Sequence, residues 1–258
     1  MNFPVQLHIG PLSFSLHAAA EAVGIFIGFR LFLYLRRRRG DTIEQVNRLW
    51  VIVGAIFGAL FGSRIIGALE NPVEWLHSSH PIMYFYQNKT IVGGFLGGLI
   101  GVELVKKFIS ESRSSGDLFV YPMILALIIG RIGCFSMGIY EETYGIATNS
   151  ALGMNLGDGL NRYPVALFEI AFLLTFWLIL YTIQQKVRLD NGALFKLFMI
   201  GYLLFRFLLD FIKPHYSWIA GLSTIQLTCL AGLIYYHQYL INPRKLTAAY
   251  ARKTVHLL

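Results

Sequence analysis

The feature that most constrains this chain is a succession of long apolar segments separated by short polar stretches. We delimit seven apolar segments of 16 to 21 residues, at about 17–35, 49–69, 90–105, 118–138, 163–183, 193–212 and 221–241. A helix of about 20 apolar residues crosses a hydrocarbon core about 30 Å thick. The sequence therefore predicts an all-α polytopic membrane protein with about seven transmembrane helices, which form a single integral-membrane domain over residues 1–258.

The distribution of charge predicts the orientation in the membrane. Charged residues make up only 14% of the chain, and most of its 22 Lys and Arg residues follow the first, third, fifth or seventh apolar segment. Because cytoplasmic loops carry the excess of Lys and Arg, we expect the N-terminus outside and the C-terminus in the cytoplasm. This topology explains the net charge of +8, so nucleic acid is not an expected partner.

An arginine near the end of the fourth apolar segment is the most informative charged residue. Arg131 lies in the glycine-rich stretch 130–138, and placing its guanidinium in a membrane costs roughly 2.5–3.5 kcal/mol on insertion scales. Arg64 and Arg206 have similar apolar surroundings. Since a planar guanidinium can bind a phosphate through two hydrogen bonds, we predict that the three arginines share a polar cavity that binds an anionic lipid head group.

Two carboxylates in otherwise apolar segments, Glu21 and Glu169, are candidate proton acceptors. A buried carboxylate can act as a general base or can orient an arginine, and the second use is the commoner one. The arginines could equally form a structural ion network with Glu21, Glu169 and Asp210. Asp210 lies four residues after Arg206, so this pair could be only a contact on a helix surface. The sequence leaves both interpretations open.

Two further side chains with chemical potential have a structural interpretation. His17 begins the first apolar segment, where an interfacial position explains it. Cys134 has no histidine nearby in sequence, and apolar surroundings disfavour a thiolate, so we interpret it as a small buried packing residue. The two cysteines both lie in apolar segments. They predict neither a disulfide framework nor a metal site, and no cofactor is expected.

Glycines are concentrated in the second and third apolar segments. Gly54, Gly58 and Gly62 recur at four-residue spacing, which is typical of close helix–helix contact in membranes. The third segment carries two Gly-Gly pairs, at 93–94 and 97–98. Such a segment either packs closely against a neighbour or is a broken helix that lines a cavity.

These residues resemble the motifs of the bacterial prolipoprotein diacylglyceryl transferase family. The family pattern Gly-Arg-Leu-Gly-Asn-Phe-x-Asn-Gly-Glu is similar to residues 130–139, and Phe-His-Gly-Gly-Leu-Ile-Gly is similar to residues 95–101. Residues 163–169 resemble His-Pro-x-Gln-Leu-Tyr-Glu, residues 205–213 resemble Phe-Arg-x-x-x-Glu-Phe-x-Arg, and residues 62–65 resemble Gly-x-Arg-Ile. The order, spacing and seven-segment layout agree over nearly the whole chain.

The resemblance implies a transferase of lipoprotein biosynthesis. The family moves the diacylglyceryl group of phosphatidylglycerol to the lipobox cysteine of a prolipoprotein and releases glycerol phosphate. The implied partners are an anionic phospholipid and a prolipoprotein signal peptide, in a bacterial inner membrane. The catalytic candidates are Arg131, Arg206, Glu169 and Glu21, of which the two arginines match essential family positions. The predicted substrate-binding residues are Arg64, Arg131, Arg206, Gly97, Gly98, Gly133, Gly138 and Gly145.

The departures from the family pattern fall on positions where the family has groups that could move protons. Two histidines, an asparagine, a glutamate and a tyrosine of the family are replaced here by Leu96, Tyr163, Cys134, Ile139 and Phe168. The arginines that could bind phosphate are kept. Two hypotheses follow: an active diacylglyceryl transferase, or a divergent member that binds an anionic phospholipid without this catalysis or uses a different acceptor.

Overall fold

The computed structural model describes residues 3–10, 12–114 and 116–248. Most of these residues are α-helical. The helices are α1 Leu16–Arg39, α2 Gln45–Ala68, α3 Pro72–His77, α4 Pro81–Gln87, α5 Ile91–Phe108, α6 Val120–Met137, α7 Val165–Lys186, α8 Ala193–Leu209, α9 Thr224–Tyr235 and α10 His237–Ile241. Two small antiparallel sheets accompany them, β1 Gln6–Ile9 with β2 Leu12–Ser15, and β3 Met154–Asn155 with β4 Asn161–Arg162.

Four helical segments among the described residues are long and apolar enough to cross a membrane. They are Leu16–Arg39, Gln45–Ala68, Asp117–Tyr140 and Val165–Lys186. This finding confirms the prediction of a helical membrane protein, while the number of spans and the orientation stay predictions. Helices also occupy the other three predicted segments, but α8 and α9 are shorter than predicted. The predicted segment 221–241 is interrupted at Tyr236, where the apolar run gives way to polar residues.

The short β-strands were not predicted, because four-residue and two-residue strands leave almost no periodic signal in a sequence. The β1–β2 hairpin ends directly at α1. Ser15 is the N-cap of α1, and its hydroxyl oxygen accepts a hydrogen bond from the backbone N–H of His17 at 3.1 Å. The hairpin and the cap therefore fix where α1 begins and place His17 in its first turn.

The chain divides into two compact units. The first comprises the residues up to Gly40, Leu118–Arg188 and Phe211–Pro214. Within it, α1 and α6 run antiparallel: Gly133 near the end of α6 faces the start of α1, and Gly28 of α1 faces Pro122 near the start of α6. The side chains of His17 and of the residues near the end of α6 are thereby brought to the same end of this helix pair.

The second unit comprises Asp41–Asp117, Leu189–Asp210 and the residues from His215 onward. Glycines of α2 and α5 pair across an antiparallel crossing, with Gly58 against Gly97 and Gly62 against Gly93. A Cβ atom at any of these positions would come within 3.0 Å of the opposing backbone. The prediction of close contact for α2 is confirmed. For the third segment the broken-helix alternative is wrong, since α5 is continuous from Ile91 to Phe108.

A carboxylate after α5 shows how this unit depends on pH. Glu111 is buried and accepts hydrogen bonds from Arg113 Nη2 at 2.6 Å, from Arg113 Nε at 2.8 Å and from Asn47 Nδ2 at 3.1 Å. The Arg113 guanidinium lowers the pKa of Glu111 from 4.5 to about 2. Because the folded-state pKa is the lower one, the ionised carboxylate stabilises the fold fully above pH 4.5, and this stabilisation is lost as the pH falls towards 2.

We therefore expect Glu111→Gln to remove part of the acid sensitivity. Wild-type protein should lose thermal stability between about pH 5 and pH 2, whereas the variant should be less stable at pH 6 and should lose less on acidification. The measurement is the unfolding midpoint of detergent-solubilised protein across this pH range. Glu142→Gln, at an exposed loop carboxylate, is the control and should follow the wild type. Parallel curves for Glu111→Gln and wild type would contradict the assignment.

Candidate functional site

Arg131 lies near the end of α6 and is almost completely buried, with 7% of its surface exposed. Its Nε atom is 2.8 Å from Oε2 of Glu169, a residue of α7 that is 0% exposed. Each of these charges alone would be costly to bury, and the pair offsets that cost. The contact fits the predicted role of Glu169 as a group that orients an arginine. It also gives this arginine the internal carboxylate partner that a structural ion network requires, while anion binding by Arg131 stays a prediction.

The backbone geometry explains why glycine occupies two positions near Arg131. A Cβ atom at Gly133 would lie 2.9 Å from Cβ of Ala20 and 3.1 Å from Cα of His17, so this glycine lets α6 approach α1. Gly138 ends α6 with a φ of +59°, in the region that favours glycine, and its α-carbon faces the carbonyl of Leu156. Their predicted contact with substrate stays a prediction.

A cluster of polar side chains lies beside Arg131, and we call it the His17 cluster: His17, Glu21, Cys134 and Glu141. The His17 ring lies between two carboxylates, with Nε2 3.4 Å from Oε1 of Glu21 and Nδ1 3.1 Å from Oε2 of Glu141. Cys134 Sγ is 3.6 Å from Oε1 of Glu141. Arg131 Nη1 donates to the same sulfur at 3.4 Å. The cluster is therefore continuous with the Arg131–Glu169 pair.

This cluster changes the interpretation of two residues. Cys134 is buried, as expected, but it is not simply a packing residue, because a guanidinium and a carboxylate both contact its sulfur. His17 is only 16% exposed and contacts two carboxylates, which an interfacial position alone does not explain. Glu21, a predicted catalytic residue, lies in this cluster next to His17. Sequence analysis did not identify Glu141, since the loop after α6 carries no periodic pattern that would place it.

Gly145 lies in the segment that connects α6 to α7. Its N–H donates to the carbonyl of Tyr163 at 2.9 Å, and a Cβ atom at this position would lie 2.6 Å from Cβ of Tyr163. The next residue, Ile146, donates to the carbonyl of Ile212 at 2.9 Å. Backbone approach thus accounts for glycine at this position. A direct contact with substrate stays a prediction.

The other two predicted arginines belong to the second unit. Arg206 of α8 is 5% exposed. Asp210, one turn later, is buried rather than on a helix surface, and it accepts a hydrogen bond from the hydroxyl of Ser223, the N-cap of α9. The guanidinium of Arg64 stacks over the ring of Tyr86 at 5.1 Å. Among the described residues, the buried Nε atom of Arg64 has no hydrogen-bond partner.

Gly97 and Gly98, also predicted to bind substrate, differ in their surroundings. Gly97 faces the backbone of Gly58 and Gly62 in α2, so helix packing requires it. A Cβ atom at Gly98 would meet only Ala55 and Ala59, at 3.5 Å or more. The family histidine position beside them is Leu96, whose side chain faces Gly232 of α9. Packing therefore explains Gly97, and only Gly98 tolerates a side chain.

Known proteins resemble this chain over nearly its whole length. The family model described as prolipoprotein diacylglyceryl transferase matches residues 4–241. The chain belongs to this family. A relative from Bordetella bronchiseptica, named phosphatidylglycerol–prolipoprotein diacylglyceryl transferase, is 32% identical over 241 residues, which cover 85% of this chain and 87% of that protein. A protein of the same name from Francisella tularensis subsp. holarctica is 33% identical over 237 residues, which cover 84% of this chain and 83% of that protein.

Membership of the diacylglyceryl transferase family confirms the resemblance found in the motifs. It also makes Cys134 a departure within the family's motif. The stretch 130–139 carries Cys134 where the family pattern has asparagine, and the structure gives that cysteine a histidine and a carboxylate as neighbours. The replacement is therefore part of a group of residues that lie together in the fold and far apart in the sequence.

Proposed function

We propose that this chain transfers the diacylglyceryl group of phosphatidylglycerol to the lipobox cysteine of a prolipoprotein, with release of glycerol phosphate. Two relatives at 32% and 33% identity carry the name of this activity. The observation that carries the proposal is the buried guanidinium of Arg131, which is oriented by the fully buried carboxylate of Glu169. A fixed, charge-assisted donor is what an anionic leaving group requires.

The proposed setting is the bacterial inner membrane, with seven spans, the N-terminus outside and the C-terminus in the cytoplasm. A helix lies in each of the seven predicted segments, and the four that are long and apolar enough to cross a membrane support the multi-pass part of this proposal. The basic residues that end α1 and α5 support the orientation, since cytoplasmic ends carry the excess of Lys and Arg. Phosphatidylglycerol and an unprocessed signal peptide would both reach the protein within this membrane.

The reaction makes two chemical demands. The acceptor sulfur must lose its proton before it attacks the glyceryl carbon, and the phosphate must leave with the electrons of the broken carbon–oxygen bond. Arg131 serves the second demand, because its charge stabilises the phosphate as the bond breaks. Arg64 and Arg206 are proposed as further phosphate-binding cations, with backbone at Gly98, Gly133, Gly138 and Gly145 beside the substrate.

Proton transfer must come from residues outside the family pattern. Leu96, Ile139 and Phe168 replace a histidine, a glutamate and a tyrosine, and none of the three can accept a proton. Besides Glu169, which pairs with Nε of Arg131, the side chains beside Arg131 that can do so are those of the His17 cluster. We therefore place Glu21 and His17 beside the position where the acceptor thiol loses its proton, in addition to the arginines.

A transfer assay with purified protein tests the proposal. Labelled phosphatidylglycerol and a lipobox peptide are incubated with protein in nanodiscs, alongside a peptide whose cysteine is replaced by serine. Cysteine-dependent lipidation with release of glycerol phosphate is the expected result. Bound phosphatidylglycerol without any transfer would instead favour the alternative of a phospholipid-binding member. Transfer to the serine peptide at an equal rate would refute the thiol acceptor.

Glu169→Gln tests the orienting contact. Glutamine keeps the shape of the side chain but removes the charge that holds Nε of Arg131, and a hydrogen bond to a charged group contributes about 1.5–3 kcal/mol. We expect kcat for transfer to fall by about 10–100-fold while phosphatidylglycerol still binds. Glu142→Gln, at an exposed carboxylate of the same unit, is the control. An unchanged kcat in Glu169→Gln would show that Arg131 does not depend on this contact.

A further inference from the structure

We propose that His17, Cys134 and Glu141 bind a divalent transition-metal ion of the zinc class. The three residues come from the start of α1, the end of α6 and the loop that follows α6. They offer a ring nitrogen, a sulfur and a carboxylate oxygen that all lie within 4.8 Å of one another. These are the three donor types that zinc uses in proteins.

Two separations between donor groups are close to those of such a site. Bonds of about 2.0–2.3 Å in a tetrahedral zinc site put neighbouring ligand atoms roughly 3.3–3.6 Å apart. In the structure, Nδ1 of His17 is 3.1 Å from Glu141, and Sγ of Cys134 is 3.6 Å from the same carboxylate. All three donor atoms lie within 4.8 Å of one another, and a bound ion would draw them together from this spacing.

The surrounding residues support the ligands in the manner of metal sites. A ligating histidine commonly donates its other ring N–H to a carboxylate, which fixes the tautomer and the ring orientation. Here Nε2 of His17 lies 3.4 Å from Glu21, leaving Nδ1 for the metal. Arg131 Nη1 donates to Sγ of Cys134 at 3.4 Å, so the sulfur already accepts a charge-assisted contact from a neighbouring residue.

The charges of the site are compatible with a divalent cation. Glu21, Glu141, Glu169 and a Cys134 thiolate would contribute four negative charges around Arg131 and the metal, which together contribute three positive charges. The mixed nitrogen, sulfur and oxygen set favours zinc, cobalt or copper over magnesium and calcium, which prefer oxygen ligands alone. Three protein ligands leave the fourth tetrahedral position open, as in catalytic zinc sites.

This open position gives the metal a role that rests on the proposed function. A thiol bound to the metal loses its proton outright, so the prolipoprotein cysteine would be held as a thiolate and its proton released to water. The sulfur then forms a bond to the glyceryl carbon, and the carbon–oxygen bond to phosphate breaks with its electrons leaving on glycerol phosphate. The metal would thereby replace the general base that the family pattern has lost in this chain.

Cobalt binding tests the site without reference to activity. Purified protein in detergent is stripped with a chelator and titrated with Co²⁺, whose thiolate-to-metal absorption band reports sulfur ligation directly. We expect one equivalent to bind, with displacement by Zn²⁺. Affinity should fall at least about tenfold in His17→Ala and Glu141→Gln, and the thiolate band should vanish in Cys134→Ser. Cys229→Ser, at the other buried cysteine, is the matched control and should keep both.

The outcomes distinguish failure of the metal proposal from failure of the proposed transferase function. Cobalt binding that is absent, or equal in Cys134→Ser and wild type, would overturn the metal proposal even if transfer occurs. A Cys134-dependent site in a protein without transfer would support the metal proposal and count against the proposed function. Thermal unfolding with and without Zn²⁺ distinguishes loss of the site from misfolding. A variant that still unfolds cooperatively is folded, and if it lacks the site, its Tm does not rise when Zn²⁺ is added. A rise in Tm for Cys134→Ser equal to the wild-type rise would also overturn the proposal.

Discussion

Arg131→Ala is expected to abolish diacylglyceryl transfer and to remove most bound phosphatidylglycerol. The guanidinium is buried, and Glu169 orients it, so a phosphate that binds there gains a preorganised, charge-assisted contact. Removing one such donor from a site that stabilises a developing anion typically costs 10²–10³ in rate, and we expect a loss of at least about that size. The measurements are the transfer rate and the number of lipids retained in native mass spectrometry.

Truncation of Arg131 also leaves Glu169 buried without this partner, so misfolding must be separated from loss of binding. The double variant Arg131→Ala/Glu169→Gln removes both charges and should recover stability, because replacing a buried pair is far less costly than breaking it. Lipid binding and transfer should remain lost in the double variant. Recovery of transfer there would show that Arg131 serves the fold and not the phosphate.

Two further variants define what is special about this position. Arg30→Ala removes an exposed arginine from α1 of the same unit and should leave lipid retention and transfer unchanged. Arg131→Lys keeps the charge but loses the planar fork, which allows contact with Glu169 and a phosphate at once. We expect it to recover little of the activity. A wild-type rate for Arg131→Lys would reduce the role of Arg131 to a point charge.

The helical architecture could be predicted because its causes are local. Each apolar segment is long enough to show its length and composition in the sequence, and the glycine spacing of α2 indicated a close contact that the structure confirms. The interruption at Tyr236 and the strands at 6–9 and 12–15 were missed. Short elements depend on capping and on tertiary contacts, which a periodic pattern does not record.

The candidate site was only partly predictable for a related reason. Arg131 and Glu169 were identified because a charge inside an apolar segment is conspicuous. Glu141 lies in a loop of mixed polarity, and its significance depends on the antiparallel packing of α1 against α6, which brings His17 to Cys134 across more than a hundred residues. The residues next to Cys134 in sequence, taken alone, indicated that this cysteine is an inert packing residue. Long-range pairing of this kind has no signature in a single sequence.

Gly97→Leu is expected to destabilise the second unit strongly. Gly97 lies against Gly58 and Gly62 of α2, and even a Cβ atom would be 2.8 Å from Cα of Gly62. A leucine cannot fit unless α2 and α5 separate, so the cost should reach about 3 kcal/mol or more, at the top of the usual range for overpacking. The measurement is the thermal or denaturant unfolding midpoint in detergent.

Two neighbouring glycines on the same helix provide the contrast. A Cβ atom at Gly94 would have no neighbour closer than 3.7 Å, and one at Gly98 none closer than 3.5 Å. Gly94→Ala should therefore be neutral or stabilising by roughly 0.5–1 kcal/mol, because alanine restricts the unfolded chain and favours helix. If Gly98→Ala keeps full stability but loses transfer, the backbone at Gly98 contacts substrate. If it keeps both, the predicted substrate contact at Gly98 is wrong.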